Sequence, residues 1–304
     1  MSKKRVVLAG GSGFLGHAIV RPLLVKSYEV VVLTRSPRQR NDGVMEVAWN
    51  GRTLGDWVPY LDDAHAVVNL AGRSVNCRHT LENLREINES RINSVNAIAA
   101  AIHNVAHPPQ VWVQAGSLAF YGDLDDRWCE EGVPSGQGEM AETCRLWETA
   151  FQVAPLPGTR RVLLRIGLVL ARDGGALSVL GKLTKWFLGG AAGSGRQYVS
   201  WIHLADMSQM LMDSIERDDV LGVFNATSPN PVTNAEFMAE LRRTLHRPWC
   251  PPAPDWAVRL GSWLMRTDPS LALTGRRCAP KRFLRGGFKF QFPELRAALR
   301  DIYG

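Results

Sequence analysis

The fold is decided by residues 5–16, which read RVVLAGGSGFLG. The apolar run at 5–9 predicts a short buried strand, and the apolar periodicity after the glycines predicts a helix. Glycine has no Cβ, so the backbone of the turn can approach a pyrophosphate, and the helix N-terminus offers that group unpaired N–H donors. The stretch therefore predicts a dinucleotide-binding turn, with a purely structural turn as the alternative. The residues expected to line it are Gly10, Gly11, Ser12, Gly13, Phe14, Leu15 and Gly16.

The end of the second predicted strand indicates which dinucleotide is bound. An apolar run at 30–33 is followed by Thr34, Arg35 and Ser36. A site for NAD places Asp or Glu here, and that carboxylate would repel the 2′-phosphate of NADP. A guanidinium instead pairs with a phosphate and stacks on adenine. We therefore expect NADP(H) at these three residues, the alternative being loop arginines exposed to solvent.

Further apolar runs alternate with helical periodicities and predict an α/β fold with a Rossmann-type, doubly wound parallel sheet. Residues 1–170 are expected to form the NADP-binding domain, which also receives a strand and a helix from about 200–227. The periodicity weakens after Gly167, so residues 171–200 and 228–304 are expected to form a smaller C-terminal α/β lobe that binds substrate. Long helices are predicted at about 80–105 and 139–153.

Small residues follow several of the predicted strands. The run at 66–70 ends at Leu70, Ala71 and Gly72, which allow the ribose and phosphates of a cofactor to pass closely. Gly116 and Gly167 end later strands and are also expected at the cofactor.

Composition and charge set limits on function. Apolar residues make up 45% of the 304 residues and charged residues 21%, as in an ordinary globular protein. The five cysteines form no C-x-x-C pair, so we expect reduced thiols, no metal site and a cytoplasmic location. No apolar stretch has the length of a membrane span, so no membrane partner is expected. The net charge of +7 alone is weak support for nucleic-acid binding, which is kept as a minor alternative.

Several motifs together resemble the extended short-chain dehydrogenase/reductase superfamily, and more narrowly its atypical subfamily described as NAD(P)-dependent nucleotide-sugar epimerases. The resemblance covers nearly the whole chain. Its marks are GGSGFLG at 10–16, VNLAG at 68–72, SRI at 90–92, FYGD at 120–123, C-x-x-WE at 144–148, GSGRQ at 193–197, WIH at 201–203, NATSP at 225–229, TNAEF at 233–237 and PKR at 280–282.

The resemblance implies an NADP site and adds residues to it. Glu86 and Arg91 on the helix at 80–105, and Val169 after a later strand, match cofactor contacts of the family. Read without the family, Glu86 and Arg91 would be a solvated ion pair. The resemblance also implies a homodimer formed through the helices at 80–105 and 139–153, and a small-molecule substrate such as a nucleotide sugar.

Most members of the superfamily transfer hydride with a serine and a Tyr-x-x-x-Lys pair, in which the lysine lowers the tyrosine pKa. Here Ser117 is the matching serine, and Tyr121 follows it as a candidate proton donor or as a tyrosine packed at the sheet edge. Aligned on Glu148, however, Met140 and Cys144 occupy the tyrosine and lysine positions. Cys144 is either a nucleophile or an inert buried thiol.

Two classes of function therefore stay open. One is an NADP-dependent oxidoreductase or epimerase of a sugar-like substrate, in which Ser117 orients the substrate. The other is an NADP(H)-binding sensor or scaffold without catalysis. Two residues are candidates for substrate contact. Arg196 directly follows the glycine loop at 189–195, and Trp201 lies five residues further on. His203 is expected to be structural.

Overall fold

The computed structural model describes residues 3–154, 156 and 158–304. These residues contain thirteen strands. They are β1 (Arg5–Ala9), β2 (Glu29–Thr34), β3 (Met45–Ala48), β4 (Ala66–Asn69), β5 (Val111–Ser117), β6 (Trp128–Cys129), β7 (Arg160–Ile166), β8 (Leu168–Leu170), β9 (Tyr198–Val199), β10 (Trp201–His203), β11 (Gly222–Ala226), β12 (Val232–Thr233) and β13 (Arg277–Cys278).

Seven of these strands form one central sheet in the order β11-β7-β5-β4-β1-β2-β3. Every neighbouring pair in it is parallel. The chain starts in the middle with β1, moves outward to β2 and β3, and then returns to the other side of β1 with β4. In such a sheet, ligands bind beyond the carboxyl ends of the strands where the order reverses, which here lies between β1 and β4. The predicted doubly wound parallel sheet is thus confirmed.

Ten α-helices accompany the strands in the described chain. They are α1 (Phe14–Val25), α2 (Leu81–Asn104), α3 (Glu139–Val153), α4 (Gly175–Lys185), α5 (Leu204–Glu216), α6 (Asn234–Thr244), α7 (Asp255–Leu264), α8 (Ser270–Leu273), α9 (Lys281–Arg285) and α10 (Leu295–Tyr303). Two short 3-10 helices span Val58–Leu61 and Leu118–Tyr121.

Helices cover both faces of the sheet, because side chains alternate along each strand. From β1, Val6 and Leu8 join the apolar core that α1 and α5 form on one face. Val7 and Ala9 join a second core that α2 and α3 form on the other face. The strands are buried on both sides, which explains why they consist of continuous apolar runs.

The helices that follow Gly167 gather around an apolar core of their own. Its members come from α4, α6 and α10 and include Leu177, Phe237, Leu241 and Leu299. A capping box at Thr233 begins α6: its hydroxyl accepts a hydrogen bond from the backbone N–H of Glu236, whose carboxylate accepts one in return. The boundaries predicted for the two domains stay a prediction.

The chain is rich in lysine and arginine at 276–289, and much of this basic segment packs against other parts of the protein. Lys281 forms an ion pair with Glu130 at 2.6 Å, and Arg282 donates to the carbonyl of Val223 at 2.6 Å. The guanidinium of Arg277 lies over the ring of Trp128, 4.2 Å from its centroid. These contacts give the segment a structural role that charge alone did not indicate. In the part of the chain that is described, no helix is both long and apolar enough to cross a membrane.

Candidate functional site

The glycine turn joins β1 to α1 at the carboxyl edge of the sheet. Gly10 has a φ of 75°, a conformation that glycine adopts at little cost. Gly13 is the N-cap residue of α1, and no side chain caps the helix there. The first N–H groups of α1 therefore depend on water or a ligand for their hydrogen bonds. Together with the helix dipole, they suit a phosphate group.

The backbone passes so close to itself in this turn that side chains are excluded. A Cβ on Gly16 would lie 2.3 Å from the carbonyl oxygen of Gly11. A Cβ on Gly10 would lie 2.9 Å from the backbone nitrogen of Ala71. The second contact brings the turn after β1 against the turn after β4, so the predicted residues Leu70 and Ala71 do lie beside the glycine turn.

The end of β2 lies next to the same turn. The hydroxyl oxygens of Ser12 and Thr34 are 3.4 Å apart, and the backbone N–H of Ser36 lies 3.5 Å from the Thr34 hydroxyl. Arg35 is exposed and has no ion-pair partner within the described ranges. Nearby, Arg40 is paired with Asp42 at 2.6 Å, so Arg35 is the more available of the two guanidinium groups.

Arg35 borders a cavity of about 360 Å³ that sequence analysis did not predict. Its other walls come from the last residue of β3 and the segment that follows: Ala48, Trp49, Asn50, Thr53, Leu54, Gly55 and Trp57. The two indole rings lie 5.6 Å apart between centroids. A cation beside a partly apolar cavity suits a phosphorylated ribose with its base. The close occurrence of Trp49 and Trp57 was the one available signal.

Helix α2 contributes Glu86 and Arg91, but not as the ion pair that the sequence alone suggested. Glu86 pairs with Arg73. Arg91 donates to the carbonyl of Arg73 at 3.0 Å and lies over the ring of Trp147, 5.0 Å from its centroid. A Cβ on Gly72 would lie 3.4 Å from its guanidinium carbon, which places Arg91 beside the turn after β4.

Arg91 is a half-buried cation, and no carboxylate among the described residues pairs with it. Burial lowers the pKa of its guanidinium, whereas the nearby Cys144 raises it. A buried charge without a partner is unfavourable. An anion bound at the turn after β4 would remove that cost.

Ser117 ends β5, as predicted, and caps the short helix that follows. Its hydroxyl oxygen accepts a hydrogen bond from the backbone N–H of Ala119 at 3.1 Å. The residue is half-buried, so its hydroxyl is still accessible. Gly116 precedes Ser117 in β5. A Cβ added at Gly116 would lie 3.7 Å from Oε1 of Glu148.

Tyr121 is completely buried rather than facing the cleft. Its hydroxyl donates to Oδ1 of Asn225 and accepts a hydrogen bond from Arg165, both at 2.8 Å. Burial is the main cause that raises the pKa of Tyr121 well above its usual value. This arrangement favours the packing role that the sequence left open over the predicted role of proton donor.

Helix α3 carries Cys144 and Glu148 on its buried face. Both carboxylate oxygens of Glu148 accept hydrogen bonds from Arg165, at 2.9 and 2.8 Å. The thiol of Cys144 has no such partner, and burial raises its pKa to about 12. A thiol with that pKa is protonated at neutral pH and is a poor nucleophile. The geometry therefore favours an inert thiol at Cys144.

Arg276 is a candidate whose role the sequence did not indicate. Its backbone N–H donates to the carbonyl of Tyr198 at 3.1 Å, and its carbonyl accepts from the Ser200 hydroxyl at 2.7 Å. Its Nη2 donates to Thr274, but its buried Nε has no acceptor within the described chain. The positive charge of Arg276 is one of the smaller influences that lower the pKa of Cys144, on the helix where the superfamily has its lysine.

Gly167, Val169 and Arg196 are three of the remaining predicted residues, and none of them is a core residue of the smaller lobe. A Cβ on Gly167 would lie 2.6 Å from the carbonyl oxygen of Ser200, and Val169 lies two residues further on in β8. Arg196 is exposed on the glycine loop, where it is free to meet a ligand.

Trp201, by contrast, is a core residue of the smaller lobe. It is completely buried, and its indole N–H donates to the carbonyl of Asn230 at 3.0 Å. The placement favours packing over the predicted substrate contact. His203 is structural, as expected, because its Nδ1 accepts from the N–H of Ala205 and caps α5.

A glycine turn and an uncapped helix at the switch point of a parallel sheet define a nucleotide-binding protein of the short-chain dehydrogenase/reductase type. Residues 6–144 match the family model "NAD dependent epimerase/dehydratase family", and residues 253–302 match "Domain of unknown function (DUF1731)". The mouse epimerase family protein SDR39U1 is 35% identical, over 98% of this chain and 99% of its own. The Bacillus subtilis epimerase family protein YfhF is 31% identical, over 98% of this chain and 97% of its own. The chain thus belongs to the epimerase family that includes SDR39U1.

Solved structures agree with this assignment. The crystal structure of human SDR39U1 (isoform 2) with NADPH superposes with a TM-score of 0.88 at 32% identity, and covers 98% of this chain and 99% of the human one. A nucleoside-diphosphate sugar epimerase from Corynebacterium glutamicum superposes with a TM-score of 0.81 at 27% identity, over all of this chain and 59% of that protein.

The packing of the glycine turn leads to the first prediction. Gly16→Ala is expected to lower the free energy of unfolding by about 1–3 kcal/mol, because the new Cβ would overlap the backbone of Gly11. Gly132→Ala is the matched control, since a Cβ at Gly132 meets nothing within 4 Å. Urea denaturation followed by circular dichroism measures both. Equal unfolding midpoints for the two variants would contradict the tight packing of the turn.

Proposed function

We propose that this protein binds NADPH along the carboxyl edge of the central sheet. The glycine turn and the N-terminus of α1 would hold the pyrophosphate, with Leu70, Ala71 and Gly72 beside the adjoining ribose. Thr34, Arg35 and Ser36 would hold the 2′-phosphate. The observation that carries the proposal is the exposed Arg35 at the mouth of the cavity formed after β3. The NADPH in the human SDR39U1 structure supports it.

Residues further along the edge would meet the other half of the cofactor. Arg91 would place its unpaired charge beside Gly72, and Glu86 would hold Arg73 in position through their ion pair. Gly116, Gly167 and Val169 would line the end that carries the nicotinamide. In this proposal residues 1–170 and about 200–227 bind the cofactor, and residues 171–200 and 228–304 cover the substrate.

We further propose a reaction class for the same cleft. The bound cofactor would supply a hydride as NADPH or take one up as NADP⁺, which suits a reductase or an epimerase, respectively, of a sugar-like or nucleotide-sugar substrate. Ser117 would orient the substrate oxygen through its half-buried hydroxyl. Tyr121 is engaged with Arg165 and Asn225, so a substrate hydroxyl or water would carry the proton. Arg276 would supply positive charge where the superfamily has lysine, and Arg196 would contact an anionic part of the substrate.

A non-catalytic sensor or scaffold is the second candidate. Two observations favour it: Cys144 is a buried thiol, with a raised pKa, at the position of the missing lysine, and Tyr121 is completely buried. In that case NADPH binding itself would be the output, passed on to a partner. A cytoplasmic location and a homodimer through α2 and α3 stay predictions in both cases.

Arg35→Ala tests the choice of cofactor. Loss of a charged hydrogen-bond partner costs about 1.5–3 kcal/mol, so the dissociation constant of NADPH should rise about 10- to 100-fold. The affinity for NADH should stay within twofold, because NADH has no 2′-phosphate. Quenching of intrinsic fluorescence measures both constants, with Arg38→Ala as a loop-arginine control. Equal losses for NADPH and NADH would show that Arg35 does not contact the 2′-phosphate.

Ser117→Ala separates the two candidate functions. The NADPH-loaded protein is presented with nucleotide sugars, aldehydes and ketones, and the absorbance of the reduced nicotinamide is followed. We expect any turnover of the wild type to fall at least 100-fold in Ser117→Ala, with the NADPH affinity unchanged. Full activity in the variant would reject the role of the serine. Tight cofactor binding with neither oxidation of NADPH nor conversion of the nucleotide sugars by the NADP⁺-loaded protein would favour the sensor.

Arg276→Gln tests the positive charge in the cleft. For a nucleotide-sugar substrate found in that panel, KM should rise at least tenfold while the dissociation constant of NADPH stays within twofold. Arg277→Gln is the matched control, because its neighbouring guanidinium stacks on Trp128 and Tyr198 instead. An unchanged KM in Arg276→Gln would remove Arg276 from the substrate site.

A further inference from the structure

The smaller lobe exposes an unusual number of large apolar side chains. After α4, Trp186 is 79% exposed, and Phe187 and Leu188 are also mostly exposed. Trp249, which is 75% exposed, lies close to them: the neighbouring Cys250 thiol donates to the carbonyl of Phe187 at 3.2 Å. Two segments that are far apart in sequence therefore form one surface.

Helix α7 continues this apolar character. The segments 189–193 and 251–255 run side by side, since the N–H of Ala253 donates to the carbonyl of Ala191 at 2.8 Å. Helix α7 begins directly after them. Its exposed Trp256, Leu260, Trp263 and Leu264 recur at the spacing of one helix face. We call these four residues, together with Trp186, Phe187, Leu188 and Trp249, the aromatic surface.

The aromatic surface is surrounded by positive charge. Across 175–190 and 240–268 the chain has seven lysines and arginines against three acidic residues, Glu240, Asp255 and Asp268. Lys182, Lys185 and Arg259 are exposed without an ion-pair partner in the part of the chain that is described. Arg247 lies over the ring of Phe187, 5.2 Å from its centroid.

This combination restricts what can cover the surface. A large apolar patch on a folded protein indicates a binding surface. A second copy of the chain is a poor fit, because a two-fold contact would bring the same lysines and arginines together. Tryptophan favours the boundary between apolar chains and polar headgroups, and lysine and arginine reach from that boundary to anionic groups.

We propose that the aromatic surface binds an anionic lipid bilayer, with its tryptophans in the headgroup region. The bilayer would bury the apolar side chains, while the surrounding cations meet lipid phosphates. Such binding differs from spanning, which is what the length of the apolar stretches excluded in the sequence. It thus revises the expectation that no membrane partner exists, and it does not depend on the proposed NADPH site.

Vesicle sedimentation of the full chain tests the proposal. Vesicles of phosphatidylcholine alone are compared with vesicles that contain one quarter phosphatidylglycerol, at low salt and at 0.5 M salt. We expect the wild type to bind the anionic vesicles at least tenfold more tightly than the neutral ones, and to be released by salt because screening weakens charge attraction. Tryptophan fluorescence should shift to the blue on binding.

Paired variants assign the binding to the surface. Trp186→Ser with Trp249→Ser, and separately Trp256→Ser with Leu260→Ser, should each weaken binding at least tenfold. Val25→Ser and Leu221→Ser are the matched controls, since those side chains are 77% and 55% exposed at the end of α1 and just before β11. NADPH affinity and the far-ultraviolet circular dichroism of each variant verify that the fold is retained.

Three results would overturn the proposal. The first is no sedimentation with anionic vesicles at low salt, and the second is equal binding to neutral and anionic vesicles. The third is a dimer in light scattering that Trp186→Ser dissociates while vesicles are not bound, which would assign the surface to a second copy. An equal loss of binding in the control variants would overturn the proposal as the first result does, because binding would then not depend on the aromatic surface.

Discussion

The backbone of α1 passes so close to the glycine turn that no side chain fits between Gly16 and Gly11. The arrangement of the carboxyl edge of the sheet depends on this contact. The close approach lets α1 begin directly at the edge of the sheet. Gly10 in turn touches the backbone of Ala71, which ties the turn after β1 to the turn after β4. Because β4 returns to the opposite side of β1, these two turns border the crevice at which the strand order reverses. A side chain at either glycine would move the helix N-terminus away from that crevice.

Charge distribution explains much about the cleft that this turn opens. Glu148 neutralises Arg165 deep beneath the sheet edge, and that pair fixes the hydroxyl of Tyr121. Arg91 lies over Trp147 beside Gly72, and it has no carboxylate partner among the described residues. The cleft thus keeps positive charge although its lysine position carries a thiol. A cation that is partly withdrawn from water without a partner is unfavourable unless an anion binds, so the arrangement favours a ligand rich in phosphate or carboxylate.

Apolar periodicity predicted the parts of the fold that are determined locally. The central strands and the helices α2 and α3 agree with their predicted positions within a few residues, because their burial on the sheet imposes continuous or helical apolar patterns. The two-residue strands β6 and β13 escaped prediction, since each exists only through the other, about 150 residues away in sequence. The cavity beside Arg35 and the contacts of Tyr121 with Arg165 and Asn225 likewise depend on segments that tertiary folding brings together. Sequence motifs predict a set of cofactor residues, but they could not show that Trp201 is buried.

The ten tryptophans give the strongest reason to treat the exposed surface as functional. Trp49, Trp57, Trp112, Trp147 and Trp201 are buried, whereas four of the five exposed ones lie in 186–263. A lobe that lacked a core would expose apolar residues by default, but this one has a core built around Leu177, Phe237 and Leu299. The exposed tryptophans are therefore additional to that core, and cations outnumber acidic residues in the segments that carry them. Selection for solubility alone would remove such residues, so their presence favours a surface that is covered when the protein acts.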